Sequence, residues 1–312
     1  MLSRRNIRVK VMQCLYTANR DKTLTNNLSL ATQVYQEAIR KSYELYLFNV
    51  LQVREITKHA LKDEAHRKGK HLPSSFDKQF SAKLYRNPLV QSLVSDGGLK
   101  TALHHCEVAE YLSDDNTRLL YNDFAKTPEY KAYLNNPHTT DKDHLEILLF
   151  LFKHAVTGEI YNELMDDYFA NWWDDKSLVV GAMKKTLKAL PVQEGYINSL
   201  KPGFDTVTEF GEALLQDVLQ NNDQLLAHIE PTLNNWDAER VAIVDMVLLK
   251  MALSELLNFP TIPTKVTLNE FVEIAKLYST EKSKDFINGI LDRLLKKLNQ
   301  EGAIVKEGRG LK

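Results

Sequence analysis

The sequence predicts an all-α protein built as two helical bundles. Three observations lead there. The chain holds 12 glycines in 312 residues, roughly half the usual ~7%, whereas tight hairpins and phosphate-cradling loops depend on glycine. Apolar residues recur with the helical period in almost every segment. No strand-rich tract and no repeat at solenoid periods interrupts that pattern.

Taken in order, Ser3 is placed as the N-cap of a first helix. Ile7, Val11, Met12, Leu15 and Tyr16 form its apolar stripe, and Arg4, Arg5 and Arg8 cluster off that stripe. Residues 28–70 read as a long helical stretch, broken once, with a buried middle at residues 45–53. Residues 71–140 are the least regular. Pro73, Pro88, Gly97, Gly98, Pro128 and Pro137 leave room only for short helices. Helices of about three turns are marginal alone, so this segment is expected to pack on the N-terminal bundle through Leu84, Tyr85, Leu89, Val90 and Leu93, without supplying catalysis.

Thr140 and Asp143 match a capping box with Asp in place of Glu, and helices follow near 141–156, 158–172 and 176–190. Pro191, Gly195, Pro202 and Gly203 make the clearest break. They divide an N-terminal domain at 1–204, enlarged by the insertion, from a C-terminal bundle at 205–312. In that bundle helices are expected at 206–230 and 236–258, the second stopped by Pro260 and Pro263. Thr267 and Glu270 fit a capping box for the next helix, and helix-end capping accounts for Glu255 as well. A closing helix after Ser283 carries the stripe Phe286, Ile287, Ile290, Leu291, Leu294, Leu295 and Leu298. Gly289 within it costs about 1 kcal/mol relative to alanine, which a closely approaching helix or a partner would offset.

The net charge of −1 hides a strong asymmetry. The first twenty residues carry Arg4, Arg5, Arg8, Lys10 and Arg20 and no acid. Residues 54–100 carry a net +5, residues 107–175 a net −10, residues 205–240 a net −7, and residues 281–312 a net +3. A localised basic patch can therefore meet nucleic acid despite overall neutrality. The most apolar stretch, residues 145–152, contains Glu146 and is far short of the ~20 residues of a membrane span. The two cysteines, Cys14 and Cys106, make no disulfide framework, which fits a reducing cytoplasm.

Enzyme signatures are missing: no GxxxxGK[ST], GxGxxG, GxSxG or HExxH occurs. His104, His105 and Cys106 do not meet zinc spacing, because adjacent helical residues point about 100° apart. Asp166–Asp167 and Asp174–Asp175, flanking Trp172–Trp173, read as solvated helix surface with aromatic anchors. No catalytic residue, metal or cofactor is expected.

Two blocks together carry a family resemblance. RRNIRVKVMQCLY at the N-terminus resembles RRxAR-x-x-A-x-Q-x-LY. IVDMVLLKMALSEL and IPTKVTLNEFVEIAKLYSTEKSKDFINGILDRLL resemble VDRAILRLAVYEL and IPxKVAINEAVELAKxFG…FVNGVLD of the NusB family of transcription antitermination factors. The resemblance covers about a third of the chain. The extra length, from about 21 to 205, resembles long versions found in the Bacteroidetes lineage.

The resemblance implies an all-helical, non-enzymatic, cytoplasmic protein. It would bind boxA RNA together with NusE, a small-subunit ribosomal protein, within an RNA polymerase antitermination complex. The family's basic motif maps onto Arg4, Arg5 and Arg8, and with Lys10 and Lys250 these are the candidate RNA-binding residues. Lys250 stands where the family carries arginine, and Asn6 where many members carry a third arginine after the pair. Two other readings are a helical protein-interaction scaffold and a relative of the NusB-like domain of ribosomal RNA cytosine methyltransferases. The methyltransferase reading requires a strand- and glycine-rich segment that this sequence does not contain.

Overall fold

A computed structural model describes residues 1–233 and 240–307. Among these residues every regular element is helical. Helix α1 (Arg4–Arg20) and the single turn α2 (Lys22–Thr25) lead into α3 (Leu28–Lys68), 41 residues long. Short helices follow: α4 (Ser75–Gln79), α5 (Pro88–Ser95), α6 (Gly97–His105), α7 (Asp114–Phe124) and α8 (Pro128–Asn135). Then come α9 (Asp141–Thr157), α10 (Glu159–Tyr168), α11 (Trp172–Lys188) and the turn α12 (Tyr196–Ser199). Wide π-helical turns at Asp205–Glu212 run into α13 (Ala213–Gln220), followed by α14 (Asn222–Ile229), α15 (Ile243–Asn258), α16 (Thr264–Tyr278) and α17 (Ser283–Gln300).

Two of the three predicted caps form, at Ser3 and Thr140, and the one expected at Thr267 does not. The Ser3 hydroxyl accepts from the Asn6 amide, and Thr140 and Asp143 complete a capping box at α9. The expected break in the long helix does not occur, because no proline or glycine lies between Leu28 and Lys68. The helix expected at 206–230 is instead interrupted at Asn221, whose amide closes on the Asp217 carbonyl at 2.9 Å. The expected start of a helix near 236 falls outside the described residues, and α15 begins at Ile243.

The helices gather into two compact units. The inserted unit comprises Arg40–Lys201 with Met1; the terminal unit comprises Leu2–Ile39 and the chain from Pro202 onward. This corrects the assignment of the first helix to an N-terminal domain at 1–204. Residues 2–39 belong with the C-terminal helices, because α1 shares a buried ion pair, a more exposed one and apolar contacts with them.

In the inserted unit the middle of α3 is covered on every side: each residue from 45 to 53 is buried, as expected of a helix apolar all round. Its polar groups are satisfied. The Tyr161 hydroxyl donates to Asn49 at 2.7 Å, and Tyr46 meets Thr186 at 2.7 Å. Leu84, Leu89, Val90 and Leu93 join the same core, along with Tyr121, Phe124 and Tyr130. The 71–140 segment is thus part of the unit's interior. Asp175 is buried rather than solvated, accepting from Ser42 at 2.8 Å and from Asn171 at 2.6 Å.

The terminal unit is organised around α15, whose residues 247–249 and 251–256 are buried. Asp245, at its start, accepts from Ser279 and Ser283 at 2.6 and 2.8 Å and ties α15 to α16 and α17. At Gly211 a Cβ would stand 2.0 Å from the Tyr35 hydroxyl and 2.4 Å from Ile7, so only glycine allows this approach. Gly289 differs: among the described residues, beyond its own helix backbone and chain neighbours, no heavy atom lies within 4 Å of where its Cβ would be. The neighbouring-helix explanation for it is therefore incorrect.

Candidate nucleic-acid interface

The candidate interface lies on the first turns of α1 in the terminal unit. Ile7, Val11, Met12, Leu15 and Ala18 face inward. That orientation sets four of the five basic side chains of α1, Arg4, Arg5, Arg8 and Lys10, in different environments.

Arg8 is the surprise. It follows Ile7 and lies one turn before Val11 and Met12, so it enters the interior instead of projecting off the stripe, and is 2% exposed. Its Nε and Nη2 each donate to one oxygen of Glu255 at 2.7 Å. Its Cζ stands 5.1 Å from the centre of the Phe210 ring and 5.8 Å from that of Phe271. Glu255 is fully buried and also accepts from the Thr267 hydroxyl at 2.7 Å. A bidentate, ring-flanked guanidinium is the arrangement in which a buried ion pair can hold. Arg8 has no surface left for phosphate. Glu255 and Thr267 are not capping groups either: Thr267 lies inside α16, which starts at Thr264.

Arg5 is exposed and forms a second fork, donating to both oxygens of Glu270 at 2.7 Å. Glu270 also lies 3.7 Å from Arg8. The hydrogen bond and charge of Arg5 hold the Glu270 carboxyl below its usual range. Glu270 therefore has a structural role in place of the capping role expected for it. Arg4 is exposed, with its Cζ 5.6 Å from the Phe210 ring centre. Lys10 is 4% exposed, and two residues of helix turn it some 200° from Arg8. Lys250, on α15, donates to Asn222 at 2.7 Å, and burial pulls its ammonium group below the usual range.

The structure thus brings Arg4, Arg5 and Arg8 together around Phe210, Glu255 and Glu270. Lys250 bonds Asn222 apart from this group, and Lys10 is buried. The open cations are Arg4 and, in part, Arg5; Arg8 fixes the helix that presents them. The signal that could have revealed this is Glu255 itself, an acid set in the apolar second half of α15, where it demands a buried cation. Among the described residues no group of three histidines, cysteines or acids is placed to hold a metal ion, and no helix is long and apolar enough to cross a membrane.

The model of the NusB family matches residues 182–296, which include α13 to α16 and most of α17. The transcription antitermination protein NusB of Listeria monocytogenes is 42% identical over 87 residues, 28% of this chain and 68% of the relative. The chain belongs to the NusB family. NusB of Salinibacter ruber is 42% identical over 103 residues, 33% of this chain and 64% of that protein. NusB of Chloroherpeton thalassium is 42% identical over 98 residues, 31% and 46%. The chain thus spans 46% and 64% of the length of these two NusB relatives. No solved structure matches it. Helix α1 and most of the inserted unit lie outside the matched residues. The Glu255 and Glu270 carboxylates that receive Arg8 and Arg5 lie within them.

Proposed function

We propose that this protein is an RNA-binding transcription antitermination factor. It acts in the cytoplasm, without enzymatic activity, on boxA-type RNA of ribosomal RNA operons. It does so with NusE, in the antitermination complex of RNA polymerase. The observation that carries this reading is the seating of the arginine row. Arg8 and Arg5 clamp α1 to Glu255 and Glu270 of the NusB-family helices, so that Arg4 and the outer edge of Arg5 stand at the surface of a NusB-type bundle. Guanidinium groups suit phosphate because they bind it in a fork, and a single strand adds salt-dependent contacts with each phosphate met. Gly289, beside the exposed Asn288 and with open space around it, is consistent with a partner approaching the backbone of α17. NusE is the partner this reading supplies.

The test is fluorescence anisotropy of a labelled boxA-type leader RNA with the full chain, alone and with purified NusE. The reading expects binding that NusE tightens. No binding in either condition would refute it.

A further inference from the structure

We propose a second binding site for single-stranded RNA in the inserted unit, on a lysine ledge at the end of α11. It rests on the RNA-binding reading above but uses none of the residues of α1.

Lys184, Lys185 and Lys188 are all exposed and fall at i, i+1 and i+4, on one side of the helix. They line an open depression of about 610 Å³ together with Gly181, Ala189 and Tyr196. Gly181 lies one turn before the lysines. No heavy atom lies within 4 Å of the place its side chain would occupy, so the floor is unobstructed. Tyr196, on the turn α12, is half-buried and brings an aromatic ring to the edge of the depression.

The electrostatics set this ledge apart from much of the basic surface of the unit. Elsewhere cations are neutralised: Lys70 and Arg67 by Asp77, Lys68 and Arg86 by Glu64, and Lys62 by Asp114. None of the three ledge lysines has a carboxylate partner among the described residues. The Met1 ammonium group, hydrogen-bonded to the Leu200 carbonyl at 2.8 Å, is held below its usual range by burial and then by Lys185, so positive charge accumulates here uncompensated. Lysines in the last turn of a helix do favour its dipole. The dipole does not account for a concave floor or for an aromatic at its edge. Unpaired cations tracking a groove beside a partly open ring are what a flexible single strand engages, with phosphates on the ammonium groups and a base on the ring. A duplex would offer no unstacked base to Tyr196.

The experiment uses the full chain carrying Arg4→Ala and Arg5→Ala, so that any remaining affinity is read apart from α1. Anisotropy of labelled dodecauridylate is followed across a salt series. In this background, changing Lys184, Lys185 and Lys188 to alanine should lower affinity at least tenfold and make the log–log salt slope shallower by about 2, from ~0.7 per phosphate contact on a single strand. Tyr196→Ala should weaken binding with an unchanged slope, and Tyr196→Phe should retain it. Circular dichroism checks that each variant is folded. An unchanged affinity and slope in the folded lysine variant would overturn the proposal. So would competition by polyglutamate at matched charge as effective as by unlabelled uridylate, since the ledge would then suit any polyanion, an acidic protein included. The Arg4, Arg5 variant is assayed on leader RNA in parallel. If that variant loses affinity while the lysine variant does not, only the second site is refuted; if neither loses affinity, the RNA-binding reading fails with it.

Discussion

Arg8 and Glu255, 247 residues apart in sequence, meet as a two-pronged ion pair with both hydrogen bonds at 2.7 Å and both side chains buried. The first helix is thereby locked to the helix that forms the centre of the terminal unit, and Arg8 becomes a positioning residue.

Removing one partner leaves an uncompensated buried charge, which costs about 3–5 kcal/mol. Arg8→Ala should therefore destabilise the terminal unit by about that amount, read as a lowered urea midpoint. Replacing both members, Arg8→Met with Glu255→Leu, should recover most of the loss, because a packed apolar pair of similar volume is often neutral. A small effect from the single substitution would mean that the pair is not buried in solution.

The two helical glycines should respond in opposite directions. Gly211→Ala drives a methyl group into Tyr35 and Ile7, and overpacking of this kind costs about 1–3 kcal/mol or more. Gly289→Ala meets nothing among the described residues beyond its own helix backbone and chain neighbours and should gain up to about 1 kcal/mol from helix propensity. Thermal melts of the two variants beside the parent protein read both signs. Equal destabilisation would contradict the packing described.

Glu64 gives a pH signature to the inserted unit. Its hydrogen bonds to Arg86 and Lys68 hold its carboxyl down at about 2, against an ordinary value of 4.5. A depressed folded-state pKa means that the stabilisation is complete above about 4.5 and is lost as the pH falls from there toward 2. Glu64→Gln should be less stable than the parent at neutral pH, and the gap should close across that window. Urea denaturation curves at stepped pH provide the check, and a gap constant from pH 6 to pH 2 would contradict the assignment.

Much of the fold was legible because it rests on local rules. Ser3 and Thr140 cap as their spacing requires, and the stripes of α1 and α17 bury most of the residues their period selects, with Tyr16, Phe286 and Leu295 only partly covered. The continuity of α3 could also have been read from its lack of proline and glycine. The candidate site was only half legible. The arginines were evident, but which of them point outward depends on acids far along the chain. Spacing within α1 puts Arg8 at the edge of the apolar stripe, and only Glu255 across the bundle draws it in. The grouping of residues 2–39 with the C-terminal helices was hidden for the same reason, since the contacts that decide it are long-range.

The central claim is a division of labour in the arginine row, with Arg8 holding α1 in place and Arg4 and Arg5 meeting RNA. Salt-dependent binding of a boxA-type leader RNA by the Arg4→Ala, Arg5→Ala double variant tests it most directly. Arg5 gives up only a half-exposed ion pair, worth about 0–1 kcal/mol, so the variant should remain folded. It should bind more weakly, with a salt slope shallower by about 1.4 for two lost phosphate contacts on a single strand. A folded double variant with the affinity and slope of the parent protein would contradict the account.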